Sequence, residues 1–133
     1  MRSTKPDRMI SIDRELVDLI FAGAKSLYPK ESILLLRGRK SANSMKITDL
    51  LVPPLANYGR GFAEVQLHRL PMDFSIVGTV HSHPSGNLNP SNTDLNHFVG
   101  TILMIAAYPF NDEKNLAVYM RNGERTALQI TEI

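Results

Sequence analysis

The chain has 133 residues, of which 43% are hydrophobic and 21% charged, and its formal charge is +2. That length suits one domain with one ordinary core, and the composition excludes a fibrous or disordered chain. With no cysteine at all, disulfides and thiolate metal sites are excluded, so any metal must be held through nitrogen and oxygen.

The opening residues, MRSTKPDRM, are charged and lack the apolar centre of a secretory signal, so a cytoplasmic location is expected. Residues 13–27 set Leu16, Ile20, Ala24 and Leu27 at helical spacing, with Leu19 and Gly23 beside the stripe, and predict an amphipathic helix. Pro29 blocks its continuation, and SILLLRG (32–38) is short and apolar enough for a buried strand. Ser41 to Ser44 makes a polar turn into MKITDLLV (45–52), so these two runs predict an antiparallel hairpin. Arg37, Arg39 and Lys40 form a small basic cluster, read as a solvated turn that an acidic protein could also use. The other basic residues are scattered, so nucleic acid is not expected as a partner.

Pro53 and Pro54 end the second strand, since proline cannot donate to a ladder. A glycine-bearing loop (56–61) follows, then residues 62–70, whose imperfect alternation reads as a strand. FSIVGTVHSH (74–83) is a clearer strand, and residues 91–99 predict a short helix capped by Ser91. TILMIAAY (101–108) has the composition of a central strand. Residues 116–121 and 125–133 predict a hairpin about Asn122-Gly123, a pair suited to a type I′ turn. No apolar run approaches the ~20 residues that cross a bilayer, so no membrane segment is expected. The expectation is one α/β domain over residues 1–133, α+β in arrangement, with helices against a curved, mostly antiparallel mixed sheet.

Chemistry concentrates in HSHPSGNLNPSNTD (81–94). In an extended segment, side chains two apart project to one face, so His81 and His83 converge without any special fold. Pro84 ends the strand at once and leaves them at an edge. The Gly, Asn and Pro residues that follow suit a compact return loop, and with Ser91 as N-cap, Asp94 falls at the N3 position, where a carboxylate is favoured. Two imidazoles and a carboxylate, with a fourth position left for water, is the ligand set of a catalytic zinc site. The alternative is two ordinary strand histidines and a capping-box variant; the compact joint spacing favours the metal site. His97, three residues after Asp94, could share its face but is expected at the helix end, and His68 is expected to be structural.

This segment resembles the signature of the JAMM (MPN+) family, in which His-x-His-Pro is followed by Ser-x-x-Asp. PKESILLLRG (29–38), LPMDFSIVGTV and AAYPF are similar to further segments of its small archaeal stand-alone members. The resemblance implies a cytidine-deaminase-like JAMM/MPN fold and a catalytic Zn2+ held by His81, His83 and Asp94. It also implies Glu31 as general base and Ser91 as a helper at the oxyanion. From the residues alone, Glu64 or Asp73 would be equal candidates for the base. One departure is Leu34, where family members usually carry glycine; this puts the packing beneath the site in question. The resemblance further implies an isopeptidase that removes ubiquitin-like, SAMP-type modifiers from lysines, as desampylases do. Residues 57–70 lie where the family places an insertion, and a modifier tail is expected to pair there by β-addition. Other readings are a processing hydrolase for sulfur-carrier precursors or small conjugates, a metal-free MPN scaffold, and a RadC-like DNA-linked protein. A homodimer is left open.

Overall fold

The computed structural model describes residues 9–53 and 75–132. The predicted strand at 62–70, the loop before it, and Glu64, His68 and Asp73 lie outside these residues. The elements run β1 (Met9–Asp13), α1 (Arg14–Leu27), β2 (Ile33–Lys40), β3 (Ser44–Leu51), β4 (Ile76–His83), α2 (Asn92–Asn96), β5 (Ile102–Ala107), a 3₁₀ turn (Glu113–Asn115), β6 (Leu116–Met120), β7 (Arg125–Thr126) and β8 (Leu128–Thr131).

The strands form one sheet in the order β7-β6-β5-β4-β2-β3-β1-β8. Pairing is antiparallel for β2–β3, β2–β4, β5–β6 and β6–β7, and parallel for β1–β3, β1–β8 and β4–β5. The two edge strands, β7 and β8, are separated in sequence by Ala127 alone. Laid flat, eight strands would put those edges about 34 Å apart at about 4.8 Å per gap. Two residues of chain span at most about 7 Å. The sheet must therefore roll up until its edges nearly meet, and α1 lies within the roll, touching β1, β3, β5 and β8.

Alternation along the strands divides the sheet into two faces. The α1 face holds the main core: Val17, Ile20, Phe21 and Ala24 of the helix against Ile10, Ile12, Leu36, Met45, Ile47, Val80, Ile102, Met104 and Val118. The opposite face carries a smaller core of Phe98, Leu103, Ile105, Ala117 and Tyr119, closed by Leu88 and Leu95. Two glycine-dependent contacts fix the β4–β5 junction that supports this second face. A Cβ on Gly78 would lie 2.4 Å from the Ile102 carbonyl oxygen, and one on Gly100 2.5 Å from the Gly78 nitrogen, while Gly100 also takes a φ of +100°.

The structure adjusts several expectations. β1 was not predicted; its alternating Ile10 and Ile12 insert between β3 and β8. The helix turns its buried stripe to Val17, Ile20, Phe21 and Ala24, leaving Leu27 exposed and Leu16 at the margin. Phe21, the largest side chain available, decides that rotation. Arg37, Arg39 and Lys40 are not in a turn but in β2, where Lys40 Nζ donates to Thr101 Oγ1 at 2.7 Å. The predicted second helix stops at Asn96, because Phe98 is drawn into the smaller core. The final hairpin is real at Val118↔Thr126 and Tyr119↔Arg125, but the chain then leaves to pair with β1. Gly123 has positive φ and Asn122 does not, so the connection is not a type I′ turn. Asn122 instead spends its side chain on Glu124, accepting from the backbone nitrogen at 3.0 Å.

Candidate metal centre

β4 pairs with β5 through His81↔Ile105 and His83↔Ala107, on the face opposite α1. His81 and His83 thus project together beside the smaller core, at the end of the sheet where β4 gives way to loop. That loop returns in compact form because Leu88 packs into the smaller core and its carbonyl accepts from Tyr119 Oη at 2.8 Å. Ser91 then caps α2 reciprocally with Asp94: the Asp94 nitrogen donates to Ser91 Oγ at 3.0 Å, and the Ser91 nitrogen donates to Asp94 Oδ2 at 2.9 Å. Past the helix, buried Thr79 donates to the Val99 carbonyl at 2.8 Å and accepts from the Val99 nitrogen at 3.1 Å, tying the exit of α2 to β4.

The three sequence-predicted ligands are brought together. Asp94 Oδ1 lies 3.3 Å from His81 Nδ1, and Asp94 Oδ2 lies 3.0 Å from His83 Nε2. All three side chains are largely buried. His83 Nδ1 meets the Asn87 carbonyl at 2.7 Å, so it must carry a hydrogen and donate. In a neutral ring, Nε2 would then aim a lone pair at a carboxylate oxygen. Something positive has to stand between them: a proton, making the ring imidazolium, or a metal ion.

The electrostatics agree. Burial disfavours charge on His83, but the Asp94 carboxylate, the Asn87 carbonyl and Glu31 outweigh it and raise its pKa above the usual 6.5. Burial also opposes charge on Asp94, yet hydrogen bonds from His81, His83 and the Ser91 nitrogen hold its pKa well below the ordinary carboxylate range.

Side chains meeting pairwise in this way do not form an open ligand shell, and among the described residues no group of three has its donors disposed around a common point. The residues nevertheless fit a zinc ion. His81 Nε2 is buried with no hydrogen-bond partner, a rare condition that a cation would relieve. The donor set has two nitrogens and one oxygen, and the Asn87 carbonyl already fixes the tautomer of one ring.

Glu31 joins the same cluster through strand register. The β2–β4 ladder pairs Ile33 with His81, and it is prolonged by the Ser82 nitrogen donating to the Ser32 carbonyl at 3.0 Å. Buried Ser82 Oγ clamps this junction, accepting from the Ser32 nitrogen at 2.7 Å. One further step sets Glu31 opposite His83. Burial pushes its pKa up, His83 and His81 lower it and Asp94 raises it, so its carboxyl feels the whole cluster. Leu34 pairs with Val80 and packs on the main core, so its bulk lies on the other face from the histidines. His97 ends α2 with Nδ1 against the Thr93 carbonyl at 2.9 Å, exposed and outside the cluster. Sequence reading passed over Leu88, whose signal was a lone apolar residue in a polar loop. It also passed over Asn87, which acts through its backbone and leaves no signal.

The pH dependence of metal binding follows. A zinc ion held here would have to displace the proton that Asp94 favours on His83, so affinity should fall about tenfold per pH unit once pH drops below the raised His83 pKa. Without metal the trend reverses: the raised His83 pKa contributes stability below about pH 6.5 that is lost as pH rises, and the lowered Asp94 pKa contributes stability lost only in strong acid. Calorimetry in buffers of different ionisation enthalpy should find about one proton released per zinc near neutrality. Affinity that stays flat from pH 8 to pH 5 would contradict this picture.

The chain is similar to known proteins over nearly its whole length. It is 27% identical over 139 residues to a probable metalloprotease of Haloferax volcanii, covering 99% of this chain and 86% of that protein. A solved structure described as a JAMM metalloprotease-like zinc site in the proteasome and signalosome superposes with a TM-score of 0.67 at 35% identity, covering 93% of this chain and 99% of that one. A JAB1/MPN domain protein from Archaeoglobus fulgidus gives 0.66 at 34% identity, covering 92% and 99%. Fold and relatives define the class as a metal-dependent hydrolase of the JAMM/MPN type. The chain belongs to the family of prokaryotic homologs of the JAB domain, whose model matches residues 13–129. No described helix is long and apolar enough to cross a membrane.

Proposed function

We propose that this protein is a zinc isopeptidase that removes ubiquitin-like, SAMP-type modifiers from lysines. The observation that carries the reading is the meeting of His81, His83 and Asp94 with a raised-pKa carboxyl, Glu31, at one end of the sheet. A zinc ion held by His81, His83 and Asp94 would supply Lewis acidity, polarising a scissile carbonyl and acidifying water toward a pKa of ~7. Glu31 supplies the base. Its half-buried position lifts its pKa toward working pH, which suits a group that takes a proton from water and returns it to the leaving lysyl amine. Ser91 Oγ accepts from the Asp94 nitrogen, which leaves the hydroxyl hydrogen free to donate to a developing oxyanion. Asn87 holds the His83 ring in one tautomer throughout.

The isopeptide preference is supported by the likeness of the motif to small archaeal desampylases and by the archaeal relatives above. A paired assay tests it. A modifier joined to a lysine side chain should be cleaved at its C-terminal glycine at least about tenfold faster than the same modifier extended by a linear peptide, a margin of about 1.4 kcal/mol in the barrier. Faster processing of the linear precursor would shift the assignment to sulfur-carrier maturation.

A further inference from the structure

The smaller core is apolar except at one atom. Phe98, Leu103, Ile105 and Ala117, with Leu88 and Leu95 packed on them, offer no polar side-chain group, while Tyr119, 5% exposed, brings a phenolic hydroxyl among them. A phenylalanine would fill the same space and leave no polar atom to satisfy. Packing alone therefore does not account for the hydroxyl, and its partner does: Tyr119 Oη donates to the Leu88 carbonyl at 2.8 Å, in the loop between β4 and α2.

Strand register shows what that contact reaches. On the face opposite α1, Thr79, Leu103 and Tyr119 form one row, and His81, Ile105 and Ala117 form the next. Tyr119 thus stands two strand spacings and four residues from His83, about 16 Å along the sheet, too far to touch its ring. The loop spans the gap. Leu88 directly follows Asn87, whose carbonyl accepts from His83 Nδ1 at 2.7 Å. Two further hydrogen bonds of this stretch stay inside the loop: the Asn87 nitrogen donates to Ser85 Oγ at 3.3 Å, and the Asn89 nitrogen to Asn87 Oδ1 at 2.9 Å. Among the described residues, the Tyr119 hydroxyl is the one group of the sheet, besides the His83 ring itself, that hydrogen-bonds the loop between Gly86 and Ser91.

We propose that the Tyr119 hydroxyl is a positioning group for His83, acting through the loop: by pinning the Leu88 carbonyl it holds the preceding Asn87 carbonyl against Nδ1. The inference rests on the reading of His83 as a metal ligand. Held in this way, the ring keeps its hydrogen on Nδ1 and turns Nε2 toward Asp94 and the cation. A looser Asn87 carbonyl would let the ring rotate or exchange tautomers, and outer partners of metal-bound imidazoles are commonly worth about 10- to 100-fold in metal affinity.

Tyr119→Phe removes the hydroxyl and keeps the ring. Ile10→Val, in the core on the α1 side, is the control for lost stability, since each change should lower the melting temperature of the metal-free protein by roughly 3–6 °C. Competition with a chromophoric chelator should find zinc bound about tenfold more weakly by Tyr119→Phe, and as tightly as in the wild type by Ile10→Val. A second readout needs no metal: exchange of the His83 Nδ1 hydrogen with water, followed by NMR on the metal-free protein, should be about tenfold faster in Tyr119→Phe and unchanged in Ile10→Val. Zinc affinity equal in Tyr119→Phe and the wild type, or lowered equally in Ile10→Val, overturns the proposal, as does an unchanged exchange rate in Tyr119→Phe. A wild type that binds no zinc, with the difference in exchange present, counts against the metal centre alone.

Discussion

Glu31→Gln should bind zinc as the wild type does yet lose hydrolysis by about 10²- to 10⁴-fold, the range for removing a positioned general base. The amide is isosteric, so the junction clamped by Ser32 and Ser82 has no reason to move. What disappears is a carboxyl held half-buried beside His83, with its pKa raised by that burial. The pH profile should change as well, since the acid-side limb of kcat/KM set by Glu31 would vanish. Zinc content by elemental analysis and turnover of a modifier–lysine conjugate check the two halves. If the variant retains more than a tenth of wild-type turnover, Glu31 is not the base.

His83→Ala should lose zinc and activity together. With three protein ligands sharing a binding free energy on the order of 10 kcal/mol, removal of one weakens zinc binding by ~3 kcal/mol, roughly 100- to 1000-fold. The same change removes a hydrogen-bond donor from Asp94, whose charge is largely buried and depends on His81, His83 and the Ser91 nitrogen together. The metal-free variant should therefore also be less stable than metal-free wild type in mild acid, where the His83–Asp94 pair is intact. Competition with a chromophoric chelator and thermal melts at pH 5.5 measure the two effects. A variant that keeps wild-type zinc affinity would remove His83 from the ligand set.

The difference between these residues mirrors how each could be read from sequence. His81, His83, Ser91 and Asp94 were legible because their geometry is local: alternation on one strand, and a capping box over four residues at the start of α2. Glu31 was not, because its place depends on pairing between β2 and β4, whose registered residues, from Ile33↔His81 to Arg37↔Ile76, lie far apart in sequence; only the family resemblance pointed to it. The same limit explains the errors in the fold. β1 is five residues long and gains its meaning from β3 and β8, which flank it from distant parts of the chain. The last hairpin was legible in its β6–β7 pairing, though not in its turn type, and failed beyond it, because Leu128 and Ile130 pack onto the main core beside β1 rather than continuing along β6. In α1, two overlapping stripes shared Ile20 and Ala24, and choosing between Leu16 and Phe21 required knowing which way the roll of the sheet closes. The concern over Leu34 dissolved for a similar reason. A one-residue step along β2 exchanges the face of the histidines for the face of α1.

Anomalous diffraction at the zinc edge, from crystals grown with one equivalent of zinc, tests the central claim most directly. The account predicts one strong peak in contact with an imidazole nitrogen of His81, an imidazole nitrogen of His83 and a carboxylate oxygen of Asp94, with the Asp94–His83 hydrogen bond opened to admit it. A peak elsewhere, or none beside an Asp94 still bonded to both rings, would contradict it.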